Sequence, residues 1–91
     1  MNNERRKLVV KLQDKLQEVQ QILDSMKEDL EPLRDAERDV FDNMPESLQQ
    51  SDRGQAIEQN AESLDGAVDS LDTAISEIET TIEALNNATA S

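Results

Sequence analysis

Apolar residues recur along this 91-residue chain in steps of three and four, in two long runs separated by one irregular stretch. The first run reads Val9, Leu12, Leu16, Val19, Leu23, Met26, Leu30 and Leu33; Glu37 interrupts it, and Val40 and Met44 resume in phase. The second reads Ile57, Ala61, Leu64, Val68, Leu71, Ile75, Ile78, Ile82 and Leu85. A period of about 3.5 residues held this long predicts two helices packed as in a coiled coil. Each run has a flanking apolar column: Leu8, Ile22 and Ala36 in the first, Ala67, Ala74 and Ala88 in the second. An apolar face of about three positions in seven suits a helical bundle better than a two-stranded zipper. The residues expected in the core or at a dimer seam are Leu16, Leu23, Leu30, Leu64, Val68, Leu71, Ile75, Ile78 and Ile82.

The irregular stretch predicts an antiparallel hairpin, with a first helix over about 4–42, a corner at 43–51 and a second helix over about 52–88. Asp42 and Asn43 can end a helix because their short polar side chains compete for backbone hydrogen bonds. Met44 precedes Pro45 and is biased out of the helical region. Asp52 can cap the second helix, with Gln55 in capping-box position and Ser51 as the competing cap. Phe41, Met44 and Leu48 either fold inward and plug the end of the bundle or, with Arg53, form a recognition tip. Pro32 lies inside the first run, where it must kink the helix or split it in two; the heptad phase kept across it favours a kink.

Composition narrows the choices. Phe41 is the single aromatic residue, and Cys, His, Trp and Tyr are absent. The core must therefore come from aliphatic side chains, which fits helix packing. Neither a disulfide framework nor a thiolate metal site can be built. No secretory leader or membrane span is legible, so a soluble, cytoplasmic protein is expected. A single hairpin of this size has a small core, which predicts pairing of two hairpins into a four-helix bundle with two-fold symmetry.

The formal charge of −12 is unevenly spread. Residues 1–15 carry Arg5, Arg6, Lys7, Lys11 and Lys15 against Glu4 and Asp14, whereas residues 54–91 carry eight acids and no base. Basic side chains at a helix N-terminus oppose the macrodipole. An antiparallel hairpin would place them near Glu77, Glu79 and Glu83. A chain this acidic repels nucleic acid and anionic lipid, leaving itself or a basic protein as the expected partner.

No catalytic constellation can be assembled. Histidine is absent, no Ser–Lys dyad is legible, and Gly54 and Gly66 stand alone rather than in a phosphate loop. Asp65, Asp69 and Asp72 offer too few converging oxygens for a hard cation. No metal, cofactor or enzymatic activity is expected. One acidic pattern does stand out: Glu58, Glu62, Asp65, Asp69, Asp72, Glu79 and Glu83 follow the second apolar run, displaced by one residue, with Ser76 filling the gap. On a helix they form a ribbon about 37 Å long. The first helix adds Asp14, Glu18, Glu28, Asp35, Asp39 and Asp42. The ribbon reads either as a solvated flank that partly faces Lys or Arg of a neighbouring helix, or as an imitation of a phosphate row. The carboxylates would recur about every 6 Å, against one phosphate per about 3.4 Å of a DNA strand.

The segment RDAERDVFDNMPESLQQSDRGQAIEQNAESL, residues 34–64, resembles small acidic helical proteins of bacteriophages and prophages that carry a Phe-Asp-Asn-x-Pro-Glu corner. The match rests on Phe41, Asp42, Asn43, Pro45, Glu46, Leu48 and Gln49 and covers about a third of the chain. It implies a phage or prophage origin and a bacterial host cytoplasm, and it implies no active site. Small acidic phage proteins commonly bind host nucleases, defence effectors or repair enzymes, or act as assembly factors. The secreted Trp-x-Gly hairpin proteins share this length, but Ser51-Asp52-Arg53-Gly54 has no tryptophan. The function expected first is therefore an acidic, DNA-mimicking inhibitor of a host nucleic-acid-binding or defence protein; the alternative is a structural or assembly protein that docks through its helices.

Overall fold

The computed structural model describes residues 1–90. Helix α1 runs from Asn3 to Asp42, the single-turn α2 from Glu46 to Gln49, and α3 from Asp52 to Thr89. The two long helices lie antiparallel in a rod of 67 × 16 × 14 Å. The all-helical hairpin expected from the heptads is thus what forms. Asn2 starts α1 by accepting a hydrogen bond from the Arg5 amide at 2.8 Å, satisfying one of the N–H groups a helix start leaves open. Pro32 neither splits nor ends α1. It is exposed, so the Glu28 carbonyl that loses its amide partner to the proline ring lies on a hydrated side of the helix.

Ser51, and not Asp52, caps α3: its hydroxyl accepts from the Gly54 amide at 3.1 Å. The same hydroxyl donates to the Leu48 carbonyl, so Ser51 joins the end of α2 to the start of α3. Asp52 becomes the first helical residue instead, where its negative charge suits the helix dipole.

The most buried positions of the hairpin are Gly54, Ala61 and Val68, one heptad apart on α3. At Gly54 the missing side chain makes room for α2, whose Leu48 and Gln49 carbonyls lie against it. The next residues of that column, Ile75 and Ile82, are half-buried, as are Leu64, Leu71 and Ile78 in the adjacent column. On α1, Val9, Leu16, Leu23 and Leu30 are half-buried beside α3.

The other α1 column of the first apolar run behaves differently. Leu12, Val19, Met26, Leu33 and Val40 are between 43 and 56 % exposed. One neighbouring helix cannot cover an apolar face three columns wide. The α1 helix is turned so that Gln13, Gln20, Lys27, Arg34 and Phe41 occupy its second contact column. Their long stems cover part of the seam while the polar heads of the first four reach across to α3. The displaced aliphatic column remains on an open face.

Candidate functional site

The polar column builds a ladder along one edge of the hairpin. Gln13 donates to Asn86 Oδ1 at 2.6 Å and Gln20 donates to Glu79 Oε1 at 3.1 Å. Lys27 Nζ lies 2.5 Å from Asp72 Oδ1, and Arg34 Nη1 donates to Asp65 Oδ1 at 3.2 Å. Each rung is seven residues on from the last in α1 and seven back in α3. The pairs therefore recur about every 10.5 Å along the antiparallel axis. Arg38 adds a second, longer contact to Asp65 at 3.8 Å. Lys27 also reaches Glu31 at 3.7 Å, and Arg34 donates to Asp35 at 3.1 Å.

These contacts redraw the acidic ribbon. Asp65 and Asp72 receive cations from α1, and Glu79 accepts from the Gln20 amide rather than from a base near the chain start. Glu58, Glu62, Asp69 and Glu83 remain exposed and make no ion pair among the described residues. The ribbon is thus two columns. One is tied to α1 over most of its length, and the other faces solvent. Asp65, Asp69 and Asp72 do not converge, and no group of three or more carboxylates could hold a metal ion among the described residues.

The hydrogen bond to Asp72 is the largest effect raising the Lys27 pKa above 10.5, with desolvation opposing it. A raised folded-state pKa means that this pair supports the hairpin fully below the unfolded lysine value. The support is lost as pH rises through the folded value. Both partners are at least 31 % exposed, and ion pairs in such settings contribute little energy but do favour one register over another. Lys27→Glu is expected to lower the melting temperature, and adding Asp72→Lys to restore it. Equal melting temperatures for the single and double variants would show that the rung is not formed in solution.

The corner is held by hydrogen bonds to backbone carbonyls. Gln49 Nε2 donates to the Phe41 carbonyl at 2.9 Å, capping the end of α1. The Leu48 and Gln49 amides both bond the Pro45 carbonyl, at 2.8 and 3.0 Å. Phe41 and Met44 are half-buried, as a plug requires, whereas Leu48 is 50 % exposed. It is the Leu48 carbonyl that faces inward, toward Ser51 and Gly54. Arg53 is exposed. A polar hollow of about 390 Å³ opens beside Phe41, lined also by Gln49, Gln55, Glu58 and Glu62.

The open face is on the other side of the hairpin from the ladder. Its shallow groove, about 420 Å³, is lined by Leu33, Ala36, Glu37, Asn60, Ser63 and Leu64. The ladder register sets Leu12, Val19, Met26 and Leu33 level with Leu85, Ile78, Leu71 and Leu64, so the groove region belongs to an apolar strip running most of the rod. Leu8 and Ile22 flank it on α1 and are 60 and 59 % exposed. On the α3 flank lie Asn60, Ala67, Ala74, Thr81 and Ala88. Periodicity alone finds these residues but does not say whether Leu12, Val19, Met26 and Leu33 meet α3 of the same hairpin or lie on an open face. The signal that decides it is the pairing of Lys27 and Arg34 with Asp72 and Asp65 at equal heptad spacing, which selects the face α1 turns toward α3.

No family model, curated protein or solved structure matches the chain. No helix among the described residues is long and apolar enough to cross a membrane.

Proposed function

We propose that this chain is a non-enzymatic interaction protein that docks onto other helices through its open apolar face, pairing with a second hairpin to complete a four-helix bundle. The observation that carries this reading is the exposed column Leu12, Val19, Met26, Leu33 and Val40. A continuous apolar strip of this length is uncommon on a monomer and marks an interaction surface. With the strip covered, each helix would have an aliphatic core and polar flanks, the arrangement of a four-helix bundle. In sedimentation equilibrium at micromolar concentration the expected mass is twice the chain's 10.2 kDa. A 10.2 kDa species at that concentration would sink the reading.

The role that fits such a module best is structural or assembly work, consistent with the phage-type corner. An acidic inhibitor of a basic host protein is the second reading. It is favoured by Glu62, Asp69 and Glu83, which stay exposed on the side away from the open face. Asp65 and Asp72 are poor probes of it, because neutralising them also removes ladder rungs. The variant Glu62→Gln, Asp69→Asn, Glu83→Gln leaves the seam and the ladder intact. On the inhibitor reading it should lose salt-sensitive binding to an immobilised polylysine surface without a change in melting temperature. Unchanged binding would leave these carboxylates as a solvated flank.

A further inference from the structure

The flanking column of α1 beside the open face reads Leu8, Lys15, Ile22, Asp29, Ala36. This order is self-complementary when two copies of α1 run antiparallel with Ile22 at the centre. Ile22 then meets its own copy, Lys15 meets Asp29 of the second chain in both directions, and Leu8 meets Ala36. The neighbouring exposed column has the same centre: Leu12 falls level with Leu33 of the other chain, and Val19 with Met26. On α3 the corresponding flank is Asn60, Ala67, Ala74, Thr81 and Ala88. Ala74 lies within one helical turn of the level of Ile22: both sit between the Gln20–Glu79 and Lys27–Asp72 rungs, about 4.5 Å apart along the axis at the helical rise. Two α3 helices related by the same axis would meet through small, uncharged residues alone, which permits close approach.

We infer that the open face is covered by a second copy of this chain, with the two hairpins antiparallel, α1 beside α1 and α3 beside α3, and the two-fold axis passing at the level of Ile22, within one helical turn of Ala74. The inference rests on the helix-docking reading above and specifies its partner and geometry. Area permits it: the outline of one face of the rod, 67 Å long and 16 Å wide, is large enough to hold the roughly 800 Å² per partner of a standard stable interface. Charge selects it among the alternatives. Parallel α1 helices would set Lys15 against Lys15 and Asp29 against Asp29. Packing α1 on the other chain's α3 would set Lys15 against Thr81 and Asp29 against Ala67, leaving both charges unmatched. The antiparallel arrangement also carries the basic segment at Arg5, Lys7 and Lys11 toward the acidic end of the partner hairpin, where Asp39, Asp42 and Glu46 lie.

The chain has no cysteine, so single thiols report position without background. Ile22→Cys and Leu8→Cys each alter an exposed residue and leave the seam within the hairpin untouched. In the inferred dimer the two copies of residue 22 adjoin, whereas the two copies of residue 8 lie about 42 Å apart at the helical rise. A short bismaleimide should therefore join Ile22→Cys chains into covalent dimers and leave Leu8→Cys chains unjoined. Efficient joining of Leu8→Cys, or failure of Ile22→Cys to join in a protein that sediments as a dimer, would overturn the geometry and leave helix docking standing. A monomeric mass for the unmodified chain would overturn both. Lys15→Asp should weaken dimerisation and Asp29→Lys in the same chain should restore it; a double variant no better than the single one would likewise overturn the geometry.

Discussion

Replacing Gly54 by alanine is expected to destabilise the hairpin by about 3 kcal/mol, at the upper end of the usual cost of overpacking. The reason is local and geometric. A Cβ at position 54 would lie 2.5 Å from the Gln49 carbonyl oxygen and closer still to that of Leu48. Both obstacles are backbone and neither can rotate away. Shifting α2 to make room would pull the Leu48 carbonyl from the Ser51 amide, a 3.1 Å bond, and the Gln49 side chain from the Phe41 carbonyl that it caps. For a chain of this size the melting temperature should fall by more than about 10 °C. Gly66→Ala is the matched control. Nothing lies within 4 Å of a Cβ there, and glycine inside a helix costs about 0.5–1 kcal/mol relative to alanine, so this variant should melt higher than the parent. Circular dichroism melts of the two variants check both signs. If Gly54→Ala melts like the parent, α2 does not rest on α3 and the corner is looser than described.

That contrast shows what the corner is for. Its length alone suggests room for a recognition loop. In the structure three of its residues, with Gly54 in the first turn of α3, are occupied mechanically. Pro45 opens α2, Gln49 caps α1, Ser51 caps α3, and Gly54 admits α2 to the α3 surface. Leu48 and Arg53 remain exposed at the tip.

The helices themselves were legible because a strict heptad pattern has few other solutions. The corner was legible in outline from Asn43, Pro45 and Ser51. The turn of α1 about its own axis was not, and the reason is physical. Two aliphatic columns flank each other on α1, and their hydrophobicity alone does not say which one meets α3. The decision falls to Gln13, Gln20, Lys27 and Arg34, whose partners lie 31 to 73 residues away in sequence. Periodicity within one helix cannot show such pairing. The acidic ribbon reads as one unit in the sequence for the same reason, yet Asp65 and Asp72 belong to the ladder, while Glu62, Asp69 and Glu83 do not.

The largest effect is expected at the open face. Met26→Lys with Leu33→Lys introduces two charges on each chain at positions 47 and 56 % exposed in the hairpin. Within one hairpin the lysines can extend into water, so the α1–α3 seam gives no reason for collapse. In a four-helix bundle the same side chains would sit in the core, four per dimer. An unpaired buried charge costs several kcal/mol, more in sum than the stability of a typical small domain. The dimer should dissociate at every practical concentration, and the melting temperature should fall to that of the isolated hairpin. Gln17→Lys with Gln21→Lys makes the same change in net charge at exposed positions away from the open face. That control should keep the parent mass, which separates a specific loss of the interface from a general change in electrostatics. Sedimentation of both variants beside the parent decides the matter: an unaltered dimer in Met26→Lys, Leu33→Lys would mean that the exposed column is not where hairpins meet.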